Sequence, residues 1–408
     1  MNKIADPHSG FTVKVSPRGA TRLKDGHVWV YRSDIVSAEG VPPGAVVAVN
    51  DHRGQFLGTA LYSSSSQIAI RLVSREPVAD FPQLLRKRIA DAVAYRDSMV
   101  RDTDAYRLVF SEADFLPGLI VDRYNDILSV QVLTQAMDAE AVREAFVSEL
   151  DERLKPASII ERVDPKIRLL EDLPPRTSGL LSGERTSTVF TMNGKGGASG
   201  VRFHFDALEG QKTGAFLDQR ENYAAAARYA HGEALDVFCY QGGFALHLAP
   251  RCAHLAAVDS SRPALEVADQ NMALNQALLG DKEIEWIEAN AFDLLKDYAA
   301  SGKQYDCIVL DPPAFAKSKR ELDAALRGYK EINLRALKML RPGGILVTCS
   351  CSYHVSQADF LGMLAGAARD AHRQLRLVEV RGQAKDHPVL LSIAETSYLK
   401  CVIASVTN

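Results

Sequence analysis

The stretch Leu235-Asp-Val-Phe-Cys-Tyr-Gln-Gly-Gly-Phe244 decides the fold of the C-terminal half of this 408-residue chain. It is an apolar strand that ends in a polar turn with two adjacent glycines. Similar strand-like runs lie at 255–258, 284–288, 307–310, 345–348, 375–380 and 399–406, and helix-period segments separate most of them. Buried strands that alternate with helices are typical of a mainly parallel, doubly wound α/β sheet. We therefore predict a Rossmann-like domain over residues 205–408.

The ends of the first two strands carry residues suited to a nucleoside. Asp259 ends the second strand, 23 residues after Asp236, and a carboxylate there can accept two hydrogen bonds from a ribose diol. Gly242-Gly243 lacks the G-x-G-x-x-G pattern with which a backbone approaches a pyrophosphate. S-adenosylmethionine (SAM) has a ribose but no phosphate, so the pattern favours SAM over a nicotinamide cofactor. The alternative is that the glycines only close a strand-to-helix turn.

Two later strands end in residues that suit chemistry on a base. The fourth leads into Asp311-Pro-Pro-Ala-Phe315, where two prolines stiffen the loop, and we expect Phe315 to stack on a planar base. The fifth leads into Cys349-Ser-Cys351. Because side chains alternate along a strand, both thiols share a face, with Cys349 about 6–7 Å deeper in the sheet. Free cysteines are usually small core residues, but the rim position of Cys351 makes it the candidate nucleophile.

The N-terminal 204 residues divide into two further predicted units. Residues 1–77 read as short strands and turns without a long helix, which favours a small β-barrel, and residues 78–204 read as an α+β unit. The first 77 residues carry nine Lys or Arg against six Asp or Glu. Basic side chains interleaved with aromatic ones suit phosphate contact and base stacking, so we predict RNA contacts at Lys14, Arg18, Arg22, Lys24 and Trp29. The alternative is that Trp29 belongs to the core and the charges are solvated.

Composition excludes several classes of protein. Apolar residues make up 47% and charged residues 24%, as in ordinary globular proteins. No apolar run is long enough to span a membrane, and the start lacks the pattern of a signal peptide, so we expect a cytoplasmic protein. Six cysteines without a Cys-x-x-Cys pair predict neither a disulfide framework nor a zinc site, and the histidines show no paired metal spacing.

Six motifs together resemble those of one known family. They are Gly19-Ala-Thr-Arg-Leu-Lys-Asp-Gly-His-Val-Trp-Val-Tyr31, Ser111-Glu-Ala-Asp-Phe-Leu-Pro-Gly-Leu119, Gln211-Lys-Thr-Gly-Ala-Phe-Leu-Asp-Gln-Arg220, Asp236-Val-Phe-Cys-Tyr-Gln-Gly-Gly243, Asp259-Ser-Ser261 and Asp311-Pro-Pro. The chain is similar, over nearly its whole length, to the bacterial RlmI-type 23S ribosomal RNA cytosine-C5 methyltransferases, which use SAM. The resemblance implies an RNA-binding PUA domain over 1–77, a central domain over 78–204 and a class I SAM-dependent methyltransferase domain over 205–408.

The resemblance also implies roles for individual residues. Cys351 stands eight residues after Gly343, the family's offset for its nucleophile, and Asp311 would assist it. The implied partner is large-subunit ribosomal RNA, and homodimer formation is a further hypothesis. Two positions depart from the pattern: Ala314 stands where some relatives have a second cysteine, and Asn290 stands where an Asp commonly faces the adenine amine. The implied SAM contacts are Phe216, Asp218, Arg220, Asp236, Phe238, Tyr240, Gly242, Asp259, Ser260, Asn290, Ala291, Asp311 and Pro312.

The leading hypothesis is SAM-dependent formation of 5-methylcytidine, with the Cys351 thiolate adding to C6 of the base. Asp-Pro-Pro followed by an aromatic residue also resembles the motif of enzymes that methylate exocyclic amines, adenine N6 or guanine N2, which need no cysteine. A third hypothesis is a non-catalytic RNA-binding protein that retains a SAM fold. Loss or survival of activity without Cys351 discriminates the first two, and SAM binding tests the third.

Overall fold

The computed structural model describes residues 10–194, 200–208, 215–316 and 318–407. Four residues of the motif that begins at Gln211, 211–214, therefore lie outside the described residues. The predicted fold class is confirmed, with an N-terminal β-rich unit, an α+β unit and a doubly wound α/β unit. In the part of the chain that the structure describes, no helix is long and apolar enough to cross a membrane.

The N-terminal unit is one six-stranded sheet with a short helix. Its elements are β1 (Thr12–Val15), α1 (Pro17–Lys24), β2 (Trp29–Tyr31), β3 (Ile35–Ser37), β4 (Val46–Asn50), β5 (Phe56–Tyr62) and β6 (Ile68–Ser74). The strand order is β2-β6-β5-β4-β1-β3, antiparallel except for the pair β1 and β4. Helix α1 begins where Ser16 accepts a hydrogen bond from the Gly19 amide at 3.1 Å and proline takes the first helical position.

The central unit is a five-stranded sheet covered by two long helices, followed by a hairpin. Its elements are α2 (Phe81–Met99), β7 (Ala105–Phe110), β8 (Leu119–Tyr124), β9 (Ile127–Val132), α3 (Gln135–Asp138), α4 (Glu140–Leu154), β10 (Ser158–Glu161), α5 (Pro165–Leu170), β11 (Gly179–Gly183), β12 (Ser187–Met192) and β13 (Val201–Asp206). The sheet order is β11-β10-β9-β8-β7, and β12 pairs only with β13. Ile89 and Phe146, one from each long helix, are fully buried in its core.

The C-terminal unit contains the seven-stranded sheet. Its elements are α6 (Arg220–Ala227), β14 (Gly232–Val237), α7 (Gly243–Leu248), β15 (Cys252–Asp259), α8 (Arg262–Leu274), α9 (Gln276–Leu279), β16 (Ile284–Glu288), α10 (Ala291–Ala300), β17 (Tyr305–Leu310), α11 (Leu322–Met339), β18 (Leu340–Ser350), α12 (Gln357–Asp370), β19 (Gln374–Arg381) and β20 (Lys400–Thr407). The order is β16-β15-β14-β17-β18-β20-β19, and β20 runs in the opposite direction to the other six strands. Ile308 packs in one apolar core and Val309 in the other, as a sheet covered on both faces requires.

The hairpin of β12 and β13 packs on the C-terminal unit. The amide of His204 donates to the side chain of Asn271 on α8 at 2.7 Å, and Phe203 joins the same apolar core as Val309. The predicted boundary between residues 204 and 205 falls inside β13, so the domain limits stay a prediction.

The connecting segment 382–399, which joins β19 to β20, touches all three units. Ile393 is fully buried in the core of the N-terminal sheet. The carboxylate of Asp386 accepts hydrogen bonds from the backbone amide of Arg107 and the guanidinium of Arg220, each at 2.8 Å. Because β20 is antiparallel to β18, this segment lies at the carboxyl edge of the parallel strands and holds the three units together there.

Candidate active site at the carboxyl edge of the sheet

A cavity of about 450 Å³ opens where β14, β15, β17 and β18 end. Nine of the residues singled out in the sequence line it: Phe216, Asp218, Phe238, Tyr240, Asp259, Ser260, Asp311, Pro312 and Cys351. The volume lies within the range of about 300–1,000 Å³ that is typical of small-molecule sites. The prediction that ligands bind beyond the strand ends therefore agrees with where the structure places this cavity.

The turn after β14 shapes one wall of the cavity. Phe238, Tyr240 and Gly242 have φ angles of 68°, 50° and 83°, which is the left-handed region that favours glycine. A Cβ on Gly242 would lie 2.9 Å from the ring of Trp286. Asp236 lies behind this turn and accepts a hydrogen bond from the Ala245 amide at 2.9 Å. Asp236 and Gly242 thus lie outside the cavity lining, where they hold the turn.

Asp259 presents a fixed carboxylate to the cavity. One of its oxygens accepts from the Tyr240 amide and the other from the Ser261 amide, each at 2.9 Å. A carboxylate can accept about four hydrogen bonds, so both oxygens retain capacity for a ribose diol. Asp259 thus lines the cavity, and its contact with a ribose stays a prediction.

Asp218 provides a second carboxylate at the cavity wall. Its Oδ2 accepts a hydrogen bond from the Tyr398 hydroxyl at 2.6 Å, whereas its Oδ1 is buried without a hydrogen-bond partner among the described residues. A buried, unsatisfied carboxylate oxygen is costly. It is therefore a suitable acceptor for a ligand ammonium group.

Asp311 follows β17 and reaches the cavity with a perturbed carboxyl group. Its Oδ1 accepts a hydrogen bond from the side-chain amide of Gln219 at 2.9 Å. Burial, with the negative charge of Asp218, raises the pKa of Asp311 to about 7, although the contacts with Gln219 and Cys349 act in the opposite direction. Near neutral pH this carboxyl group can therefore exist in either protonation state.

Cys349 lies in β18 and Cys351 directly follows it, and the two differ in exposure. Cys351 is half-buried, lines the cavity and has its Sγ 4.0 Å from the Pro312 carbonyl oxygen. Cys349 is fully buried, and burial raises the pKa of its thiol well above the usual value. Its thiol interacts with the carboxyl group of Asp311 but does not line the cavity. Only Cys351 therefore combines access to the cavity with a position beside Asp-Pro-Pro.

Four further predicted contacts also lie outside the cavity lining. Phe315 packs on the ring of Tyr329 at 4.5 Å and does not line the cavity, so its stacking on a base stays a prediction. Arg220 is buried and pairs with Asp386, which makes it an anchor of the connecting segment. Asn290 is exposed and caps α10 by accepting from the Phe292 and Asp293 amides, and Ala291 is buried in the first turn of that helix.

The predicted RNA-binding residues lie on the N-terminal unit, and most have protein partners. Arg18 and Arg22 lie 3.6 and 4.0 Å from Asp34, and Lys24 lies 3.5 Å from Asp51. The indole of Trp29 donates to Glu112 of the central unit at 3.1 Å and packs against the N-terminal core. The alternative that Trp29 has a structural role is thus supported by its contacts, whereas Lys14 and Arg18 are exposed.

The residues of the cavity wall that sequence reasoning missed include Gln219, Tyr398 and Leu399. Gln219 stands between the two predicted contacts Asp218 and Arg220, so its place in the sequence could have indicated that it contacts the cavity. Tyr398 and Leu399 precede β20, and the antiparallel direction of that strand brings them to the carboxyl edge.

Comparisons with known proteins agree with this architecture. Residues 13–75 match the model of a PUA-like domain, and residues 173–401 match the model of an S-adenosylmethionine-dependent methyltransferase. The chain is 39% identical over 402 residues to "Ribosomal RNA large subunit methyltransferase I" of Shewanella denitrificans, covering 97% of this chain and 99% of the relative. It is 39% identical to the protein of the same name from Photobacterium profundum, covering 93% and 95%.

A solved structure shares the fold over nearly the whole chain. It is described as a methyltransferase complexed with SAH, and it superimposes with a TM-score of 0.81 at 18% identity, covering 97% of this chain and 99% of its own. This likeness concerns the arrangement of all three units.

Proposed function

The chain belongs to the SAM-dependent methyltransferase family that includes the ribosomal RNA large subunit methyltransferase I proteins, and we propose that it forms 5-methylcytidine in large-subunit ribosomal RNA. It uses SAM as its methyl donor, and large-subunit ribosomal RNA is the substrate that its relatives' names give. The cytosine-C5 chemistry is the finer part of the proposal. The observation that carries it is that Cys351 and Asp311 line the same cavity as Asp259. Homodimer formation stays a prediction.

The residues at the cavity fit SAM. The Asp259 carboxylate suits the ribose hydroxyls, and the unsatisfied Oδ1 of Asp218 suits the ammonium of the methionyl part. Phe216 and Tyr240, whose rings pack edge to face at 5.2 Å, supply apolar surface. Bound there, SAM supplies an electrophilic methyl group.

The chemistry needs a nucleophile because C5 of cytosine is itself a poor one. Addition of the Cys351 thiolate to C6 makes C5 electron-rich, as in covalent catalysis generally. Asp311 in its protonated form delivers a proton to N3, which neutralises the charge that develops on the ring. After methyl transfer the C5 proton passes to solvent in the cavity, and the C–S bond breaks with its electron pair returning to sulfur, so that Cys351 leaves as a thiolate. N3 then returns its proton to the Asp311 carboxylate. The target base must leave any helical stack to reach the cavity.

The covalent step gives a direct test. RNA with 5-fluorocytidine at the target position cannot lose a C5 proton, so the wild-type enzyme should remain attached to it after methyl transfer. We expect Cys351→Ser to form no adduct on a denaturing gel. Cys349→Ser is the matched control, since it removes the neighbouring thiol that does not line the cavity, and it should retain the adduct.

Two outcomes would contradict the proposal. If the wild type methylates its natural RNA but never forms the adduct, and Cys351→Ser stays active, exocyclic-amine methylation replaces the C5 mechanism. If the folded protein fails to bind SAM in calorimetry, a non-catalytic RNA-binding role replaces both.

A further inference from the structure

Lys400 places a buried ammonium beside the proposed nucleophile. It begins β20 and lies opposite Ser350 in the antiparallel register with β18. Lys400 is only 7% exposed as a whole residue. The Nζ atom donates hydrogen bonds to the carbonyl oxygens of Ser352 at 2.6 Å and Tyr398 at 2.8 Å. Ser352 directly follows Cys351 in the chain, and Tyr398 and Cys351 both line the cavity, so the ammonium is held by backbone that adjoins the cavity.

In the part of the chain that the structure describes, no carboxylate forms an ion pair with this ammonium. A buried charge is costly unless an opposite charge pairs with it. Among the described residues, the neutral carbonyls of Ser352 and Tyr398 are the hydrogen-bond partners of Lys400. Burial lowers the pKa of Lys400 to about 8, and the charge of Cys351 is what acts in the opposite direction. A negative charge on Cys351 would therefore offset part of the cost of burying this ammonium.

We infer that Lys400 is a positioning residue that stabilises the thiolate of Cys351 and so sets the reactivity of the nucleophile. The inference rests on the proposed function of Cys351. The proton of the thiol leaves to solvent through the cavity. When the sulfur bonds to C6, its negative charge passes to the ring and is neutralised at N3 by the proton of Asp311. When the C–S bond breaks after loss of the C5 proton, the thiolate forms again beside Lys400.

Other groups face Cys351 from the elements packed around it. Asp311 and the Pro312 carbonyl approach from the loop after β17, and the Tyr329 hydroxyl approaches from α11 through Ser352 at 2.9 Å. Burial raises the pKa of Tyr329, so its hydroxyl stays neutral. An ionised Asp311 opposes a thiolate, whereas Lys400 favours one. Because the pKa of Lys400 is about 8, its charge is largely present at neutral pH.

The test measures thiol reactivity without RNA. Alkylation of Cys351 by iodoacetamide is followed by peptide mass spectrometry from pH 6 to pH 9.5. Since alkylation needs the thiolate, we expect Lys400→Met to react about tenfold more slowly than wild type at pH 7, with its pH profile moved upward. Lys400→Arg keeps the charge and should recover most of the rate. Lys330→Met is the control, because Lys330 pairs with Asp370 at the surface, and it should match wild type.

Two results would overturn the inference. One is a folded Lys400→Met protein, with normal melting temperature and SAM affinity, whose alkylation profile equals that of wild type. The other is a pH profile of wild-type alkylation whose midpoint lies at or above about 8.5, the pKa of an ordinary free cysteine. This measurement does not depend on whether Lys400→Met folds. If the wild-type protein shows the expected alkylation profile but forms no adduct with 5-fluorocytidine RNA, the result contradicts the proposed function and not the role of Lys400.

Discussion

The side-chain amide of Gln219 donates a hydrogen bond of 2.9 Å to Oδ1 of Asp311. Gln219 is itself oriented by Asn222, whose side-chain amide donates to Gln219 Oε1 at 2.7 Å. The bond stabilises the ionised carboxylate and so lowers the pKa of Asp311, while burial raises it by more, to about 7. The two opposing effects leave Asp311 able to gain and lose a proton near neutral pH.

This relationship predicts the pH dependence of a Gln219→Leu variant. Methyl transfer should rise with pH as the Cys351 thiolate forms and fall as Asp311 ionises above about pH 7, which gives a bell-shaped profile. Loss of the donor raises the pKa of Asp311, so the alkaline decline should move to higher pH. Single-turnover rates across the pH range measure it.

Asp311→Asn is the companion variant. An amide cannot deliver a proton to N3, so the rate should fall by about 10²–10⁴-fold and the alkaline decline should disappear. If the alkaline decline in rate stays at the same pH in Gln219→Leu or persists in Asp311→Asn, the result would show that another group is the acid.

Asp259→Asn should weaken SAM binding. The change removes the charge from the proposed ribose contact, and a hydrogen bond to a charged group contributes about 1.5–3 kcal/mol, so we expect the Kd from calorimetry to rise by at least tenfold. Asparagine still accepts one backbone hydrogen bond, which limits damage to the turn. Asp269→Asn, an exposed change on the adjacent α8, is the control. Equal SAM affinity in both variants would remove Asp259 from the cofactor site.

The parts of the site that the sequence predicts are those fixed by regular structure. Buried parallel strands appear as apolar runs, and their carboxyl ends meet at one edge, which is why Asp259, Asp311 and Cys351 could be placed together. Phe315 could not be placed, because the direction of a side chain after two prolines depends on its packing against Tyr329 of α11.

Long-range polar contacts also could not be predicted from the sequence. The motif containing Arg220 resembles a cofactor segment, yet the guanidinium pairs with Asp102 and Asp386, which are more than 100 residues away in either direction. Periodicity and spacing carry no information on such pairs. The connecting segment 382–399 escaped prediction for the same reason, since its role follows from contacts with three units.

Asp236 predicts a pH dependence of stability. Burial raises its pKa from 3.8 to about 8, so the folded protein binds this proton more tightly than the unfolded chain does. Stability should therefore fall as pH rises from about 4 to 8, and Asp311 acts in the same direction. The side chain of Asp236→Asn does not ionise, so the melting temperature of this variant should decline less between pH 5 and pH 8 than that of wild type. Parallel declines in calorimetry would show that Asp236 does not titrate in this window.

Trp29→Phe should affect stability rather than RNA binding. The substitution removes the donor of the hydrogen bond to Glu112, which we expect to cost about 0.5–3 kcal/mol in chemical denaturation. RNA affinity should stay within twofold of wild type. A large loss of RNA affinity at unchanged stability would restore the base-stacking role predicted from the sequence.

Lys14 and Arg18 provide the sharper test of RNA contact by the N-terminal unit. Deletion of residues 1–77 would uncover Ile393 and disturb the connecting segment beside the cavity, so it cannot separate binding from folding. The double variant Lys14→Ala with Arg18→Ala removes two exposed charges and leaves the core intact. Each lost phosphate contact should lower the slope of log affinity against log salt by about 1, with SAM affinity unchanged. Lys87→Ala with Lys166→Ala removes the same charge from the exposed surface of the central unit. If both double variants reduce RNA affinity and the salt slope equally, net charge alone explains the loss and the N-terminal unit holds no specific RNA-binding face.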